Sequence, residues 1–310
     1  MESNASEVRS DHMLSVAGPK VTRRRKRSNT TEIWMLTPSI VILAVISMVP
    51  FFYMIYASLM NYTVNPDQPT FYQLHNWVSI LRDSTYWHSW ERTAIFVIIG
   101  LAVELLVGTG IALAIYHIPK GRNLIVTLWM LPLFVAPIVT GLLGRFLLNT
   151  TYGMYAWFLQ LVGIKTDILG TTSTAMPAII LMDVWEWTPL ITIIVLAGLQ
   201  SMPEEPLEAA DVDGANYWAK LRYVILPLVS RTIVVALLIR SMDILRYVDT
   251  ILITTEGGPA DSTKTIGYYL VQVAFQFQDF GRAAAIGFTM LIVSIFLGRT
   301  FIRIFARGEQ

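Results

Sequence analysis

The chain has 310 residues, of which 54% are hydrophobic and only 15% charged, whereas a soluble domain carries about a quarter charged residues. Its mean hydropathy is +0.54, so composition alone points to a membrane protein. The net charge of +1 provides no field for nucleic acid, and the absence of cysteine excludes disulfides, thiolate metal sites and cysteine nucleophiles.

Residues 1–30 are polar, lack apolar periodicity and contain the run Arg23-Arg24-Arg25-Lys26-Arg27. They read as a disordered basic tail, and residues 31–310 as the membrane domain. The apolar run from Ile33 to about Leu59 is too long for the core of a signal peptide, and no small-residue cleavage site follows it. It reads as a retained first helix. Further runs of spanning length extend from about Thr93 to Tyr116, Leu124 to Leu148, Ala175 to Leu199, Val229 to Ile253 and Ala283 to Phe305. In lipid every backbone N–H and C=O needs an internal partner, so each span is expected to be a helix. The expected fold is therefore an all-α integral membrane protein with about six transmembrane helices. Pro38, Pro50, Pro132, Pro137 and Pro189 lie in or near the spans, where neighbouring groups take up the freed carbonyls. Gly108, Gly110, Ala112 and Ala114 offer a small-residue packing face on the second span.

Lys and Arg are concentrated on one side of these spans, at Arg23 to Arg27, Lys120 and Arg122, Lys220, Arg222 and Arg231, and Arg303 and Arg307. The other side holds Arg82, Arg92, Lys165, Lys264 and Arg282. The bias predicts that both termini are cytoplasmic. The external segments carry Tyr86, Trp87, Trp90, Tyr152, Tyr155 and Trp157, residue types that suit interfacial anchoring.

The most informative stretch is the cytoplasmic loop at 200–228 between the fourth and fifth spans. Ser201 and Glu204 have capping-box spacing. Pro203 and the acids after it favour a first helical turn, and Glu208-Ala209-Ala210 continues it. Gly214 is placed to end that helix. Asn216 to about Ile225 reads as a second short helix, with Pro227 marking a break before the next span. An ordered, amphipathic loop of this kind suits docking on a partner.

Glu208-Ala209-Ala210, Asp213-Gly214-Ala215 and Ile225-Leu226-Pro227 resemble the EAA motif of bacterial ATP-binding-cassette (ABC) importer permeases. Two further stretches resemble the carbohydrate-uptake, maltose-type branch: Leu131-Pro132 through Val135-Ala136-Pro137 to Asn149 and Gly153, and Thr254-Thr255-Glu256-Gly257-Gly258-Pro259. The resemblance covers about Ile33 to the C-terminus. It implies a type I ABC importer transmembrane fold in the bacterial inner membrane and a coupling helix seated in a cleft of the ATPase subunit. Glu208, Ala209, Ala210, Asp213, Gly214, Ala215, Leu226 and Pro227 would form this coupling element. The implied partners are a second related permease, two ATPase subunits and an external solute-binding protein. ATP and Mg²⁺ would be used by the ATPase partners, with no cofactor in this chain.

Two spans carry unusual charge. At about 100° per residue, Asp183, Glu186, Trp187 and Leu190 share one face of the fourth, and Arg240, Asp243, Ile244 and Tyr247 one face of the fifth. The resemblance implies that these eight positions line the sugar pathway, where carboxylates and Arg bond hydroxyls and aromatic faces stack on sugar C–H groups. Arg145 and Arg240 leave an anionic sugar open. The alternative is that the charges only pair with one another, since Arg240–Asp243, Asp243–Arg246 and Arg246–Asp249 all have helix-adjacent spacing. Glu104 and Arg145 have no partner visible in sequence, and a structural salt bridge is expected for them.

The residues thus point to a permease for a sugar, polyol or anionic sugar derivative, powered by separate ATPases. A competing reading is a secondary transporter driven by an ion gradient, with Asp183, Glu186 and Asp243 as proton sites; it leaves the loop at 200–228 unexplained. An enzyme is not indicated. The chain has no nucleophile–base set, zinc motif or phosphate loop, and Gly163-Ile164-Lys165-Thr166 lacks the Gly-Lys pair of a P-loop.

Overall fold

The structure, a computed structural model, describes residues 30–63, 70–163 and 166–307. The basic tail with Arg23 to Arg27, and Lys165, lie outside the described residues. The chain parts into two units after Pro50. Helix α1 (Thr30–Ser58) contains both Pro38 and Pro50. In the first unit all side chains from Trp34 to Pro50 are exposed, as expected of an apolar helix whose solvent is lipid.

The second unit begins with the end of α1 and a two-stranded antiparallel ribbon, β1 (Met60–Asn61) with β2 (Thr70–Phe71). The short helix α2 (His75–Arg82) is tied back by Asn76, whose Nδ2 donates to the carbonyls of Ser58 and Met60, each at 2.9 Å. Helix α3 (Ser84–Tyr116) starts at Asp83, whose carboxylate accepts from the Thr85 N–H at 2.8 Å, a standard N-cap bond.

Along α3 the residues Phe96, Gly100, Glu104, Gly108 and Ala112 are buried at every fourth position. That period follows one ridge of the helix, and the ridge lies along α7 (Thr172–Gln200). At Gly108 a Cβ would come within 2.9 Å of the Ile191 Cβ, so only glycine permits this approach. Gly110 and Ala114, expected on the same packing face, are exposed. They fall outside the four-residue ridge.

The third expected span is not one helix. It consists of α4 (Arg122–Trp129), a 3₁₀ turn at Leu131–Phe134 and α5 (Pro137–Leu147). Pro132 and Pro137 remove two N–H donors and oppose helix in the residue before each, so the chain breaks within the span expected to run continuously from about Leu124 to Leu148. After α6 (Met154–Leu161) and α7 come α8 (Glu205–Val212), α9 (Tyr217–Lys220), a π-helical segment at Leu221–Ile225 and α10 (Leu226–Ile244). Pro227 therefore does not break the chain. It occupies the first turn of α10, and the wider π turn just before it accommodates the missing N–H. The fifth span is instead interrupted at Leu245–Val248, before α11 (Asp249–Thr254). Helix α12 (Ile266–Val271) and a π segment (Gln272–Gln276) lead to α13 (Phe280–Arg307).

Among the described residues five helical stretches are long and apolar enough to cross a membrane: Trp34–Ser58, Ser84–Tyr116, Thr172–Gln200, Tyr217–Thr254 and Phe280–Arg303. The broken α4–α5 segment stands where the remaining span was expected. Tyr86, expected at the lipid interface, is instead buried beside Ile80 and Ile266, whereas Trp87, Tyr152, Tyr155 and Trp157 are exposed.

Candidate functional site

Two regions stand out. The first is the elbow between α7 and α10. Ser201 does not cap α8; its hydroxyl donates to the Gly198 carbonyl at 2.9 Å and so closes α7. Helix α8 ends with Gly214 at φ 73°, with the Ala215 N–H reaching the Ala210 carbonyl at 2.9 Å, the pattern of a left-handed helix cap. Asn216 then caps α9 by accepting from the Ala219 N–H at 2.9 Å. Lys220 Nζ bonds Asp211 Oδ1 at 2.6 Å and ties the two short helices together.

Met202, Leu207, Leu221 and Ile225 anchor this elbow to the core cluster around Leu199 and Val229. Glu208, Ala209, Asp213 and Gly214 are exposed, Ala215 and Leu226 partly so, and Ala210 faces inward. Three residues that motif reading did not single out complete the outer face: Val212 is 89% exposed, Trp218 74% and Tyr223 73%. A bared valine between two aspartates and two bared aromatics, one of them under the Arg222 guanidinium, form an exposed apolar surface of the kind that a partner covers. The local signal in the sequence was an apolar residue between two aspartates, at Asp211-Val212-Asp213.

The second region lies at membrane depth between α3, α7 and α10. Arg240 is fully buried. Its Nε donates to both Glu104 oxygens at 2.9 and 3.1 Å, and its Nη2 to Glu104 Oε1 at 2.9 Å. Nη2 also bonds Asp183 Oδ1, and Nη1 bonds Asp243 Oδ2 at 3.0 Å. The Trp187 ring lies 4.9 Å from the guanidinium carbon, a cation–π distance. Glu104 and Asp183 are fully buried, and Glu186 is 1% exposed. Thr140 of α5 approaches the Glu186 carboxyl and lines a cavity of about 600 Å³ with Met182 and Trp185. Asp183 Oδ2, Glu186 Oε2, Trp187 Nε1 and Thr140 Oγ1 are buried without hydrogen-bond partners.

The structure thus brings Asp183, Glu186, Trp187, Arg240 and Asp243 together. Ile244 and Tyr247 pack below them against Phe96, with the Tyr247 ring stacked at 5.3 Å, and Leu190 is partly buried on the same face of α7. The helix ends before Tyr247, which sits in the turn after α10 and bonds Thr250 Oγ1 at 2.5 Å. The helix-adjacent pairs Arg240–Asp243 at 3.0 Å and Arg246–Asp243 at 3.7 Å are both present. The salt bridge expected for Glu104 is found with Arg240. Arg145 differs: it donates to the Ile253 carbonyl at 3.1 Å and joins α5 to α11, with no ion pair among the described residues.

The stretch Thr254–Pro259 forms a turn held by side-chain hydrogen bonds. Thr263 Oγ1 bonds Thr255 Oγ1 at 2.7 Å and the Gly258 carbonyl at 2.8 Å.

The model of the family described as "Binding-protein-dependent transport system inner membrane component" matches residues 107–308, which include the elbow, α7 and α10. The chain belongs to this family. It is the permease of an ABC importer, a membrane-embedded and non-catalytic subunit. Among similar permeases, the trehalose/maltose transport system permease protein MalF of Thermococcus litoralis is 30% identical, over 84% of this chain and 88% of its own length. The sulfoquinovosyl glycerol transport system permease protein SmoG of Agrobacterium fabrum is 29% identical, over 87% of this chain and 88% of its own. A chain of a bacterial ABC transporter that imports the acidic polysaccharide alginate has the same fold, with a TM-score of 0.78 at 20% identity, covering 90% of this chain and 96% of that one.

Proposed function

We propose that this permease moves a sugar or sugar-related solute across the bacterial inner membrane, delivered by an external solute-binding protein. One of two ATPase subunits docks on the elbow at 200–228, and a second, related permease completes the pathway and receives the other. ATP and Mg²⁺ act in the ATPase partners. The observation that carries this reading is the elbow itself. Its inner side is fastened to the core beside α7 and α10, while Glu208, Val212, Trp218 and Tyr223 are bared. A partner that moves the elbow therefore moves the two helices that hold the charged cluster. The Lys and Arg bias supports a cytoplasmic elbow and cytoplasmic termini. Sugar as the solute class is supported by the relatives named for trehalose/maltose and sulfoquinovosyl glycerol.

Purification of the tagged chain from its native membrane in mild detergent tests this. A second permease and an ATPase pair should accompany it, and a binding protein with one sugar should raise the ATPase rate. A chain that transports alone, and whose uptake an uncoupler abolishes, would replace this reading with an ion-driven transporter.

A further inference from the structure

The membrane-depth cluster holds more carboxyl groups than cations. A guanidinium has five N–H groups, and Arg240 directs four of them to Glu104, Asp183 and Asp243. The Trp187 ring lies over its carbon. Around this one buried cation stand four carboxylates: Glu104, Asp183 and Asp243 in contact with it, and Glu186 one turn along α7 from Asp183. The next cation, Arg246, is 3.7 Å from Asp243 and has a 71% exposed side chain. The buried atoms left unpartnered include two carboxylate oxygens, Asp183 Oδ2 and Glu186 Oε2, against the Trp187 N–H and the Thr140 hydroxyl. Buried polar groups without partners are rare in native proteins and call for a ligand or water.

A solute rich in hydroxyls can donate to these oxygens and accept from the Trp187 and Thr140 donors, and an ammonium adds an opposite charge beside the carboxyl groups. A carboxylate or sulfonate brings further acceptors and a like charge, which is disfavoured strongly in a low-dielectric site. We infer that the site takes a donor-rich sugar or polyol of neutral or positive charge and rejects anionic ones. Glu104 sets this selectivity by withdrawing the Arg240 charge from the pathway. The inference rests on the reading above that α7 and α10 face the solute. Glu104 is a positioning residue here: it acts through Arg240 and belongs to a helix outside that pathway.

The complete complex with its ATPase partners, in lipid nanodiscs without binding protein, allows direct measurement. Saturation-transfer NMR would compare trehalose, glucosamine and glucuronate. Trehalose and glucosamine should bind at least tenfold more tightly than glucuronate, a difference of about 1.4 kcal/mol. Glu104→Gln should shrink that ratio several-fold, and the rim variant Asp243→Asn should do so without emptying the core. Glucuronate binding equal to trehalose, with both signals lost in Trp187→Ala, overturns the selectivity and leaves the site standing. Sugar signals unchanged by Trp187→Ala, or absent for every probe, overturn the site itself and the selectivity with it.

Discussion

Arg240 grips the Glu104 carboxylate through Nε and Nη2 at 2.9 to 3.1 Å, although the two residues are 136 positions apart. Both are fully buried, and Asp183 completes the clamp, so one side chain joins α3, α7 and α10. Without Glu104, Asp183 and Asp243 still balance the Arg240 charge, but its buried Nε–H and one Nη2–H lose their acceptor, at about 1–3 kcal/mol for each buried group left unsatisfied. Glu104→Ala should therefore sharply lower the thermal stability of the detergent-solubilised chain. Arg240→Met should cost more than Glu104→Ala, because it leaves both Glu104 and the fully buried Asp183 without a cation. An Arg240→Met chain as stable as Glu104→Ala would argue against the clamp.

The α3–α7 contact makes a prediction with an internal control. At Gly108 a Cβ meets Ile191 side-chain atoms at 2.9 Å and the Thr188 carbonyl at 3.3 Å, whereas at Gly110 nothing lies within 4 Å. Gly108→Val should destabilise by about 1–3 kcal/mol through overpacking. Gly110→Ala should be close to neutral or slightly stabilising. Thermal unfolding followed by size-exclusion chromatography separates the two.

On the opposite side of the chain from the elbow, Asp83 accepts from Tyr269 Oη at 2.5 Å and from Arg282 Nη2 at 3.0 Å. Burial pushes its pKa up, but the Tyr269 phenol, the Thr85 N–H and Arg282 outweigh it and hold the carboxyl below its ordinary range. A depressed folded pKa contributes stability above the unfolded value, about 3.9, and that stability is lost as pH falls through the folded one. Asp83→Asn should therefore lower the melting temperature at pH 7, and the difference from wild type should close below about pH 4. A gap that persists unchanged at acid pH would show that charge is not what Asp83 contributes.

Gly214 has φ 73° and open space around it, so its requirement is conformational and not steric crowding. Asparagine tolerates the left-handed region far better than a β-branched residue does. Gly214→Asn should retain most ATP-dependent uptake, and Gly214→Val should lose it while the chain still inserts. Equal behaviour of the two would place the demand elsewhere.

The chain has no cysteine, so an introduced one is unique. Val212→Cys and Trp218→Cys, on the bared face of the elbow, should each cross-link to an ATPase subunit in native membranes. Gly110→Cys, on an exposed part of α3, should not.

Local features were legible in the sequence. The α8–Gly214–α9 elbow depends on a few consecutive residues, so the acids, alanines, glycine and Asn216 could be read in order. The shared face of Asp183, Glu186 and Trp187 follows from helical period alone. What was not legible depends on distant chain. Glu104 showed no partner because Arg240 reaches it only once α3 lies along α7 and α10. The breaks at Pro132 and Pro137 were marked by residue type, but their size depends on neighbours, and prolines at 177 and 189 lie inside an unbroken α7. The interruption at Leu245–Val248 carries neither glycine nor proline, so nothing local announced it. Capping by Ser201 failed because its hydroxyl had a closer use, the Gly198 carbonyl one turn back.

The central claim is that energy enters through the elbow. Glu208 sits exposed on α8, beside Val212 and within reach of a partner, and a carboxylate there can form a charge-assisted bond with a partner cation. The most direct measurement is sugar uptake and ATPase activity of the full complex in proteoliposomes, with wild-type chain or Glu208→Lys. The account predicts that the variant inserts and still assembles with its second permease, yet loses uptake and substrate-stimulated ATP hydrolysis. Full uptake by Glu208→Lys with wild-type ATPase subunits would contradict it.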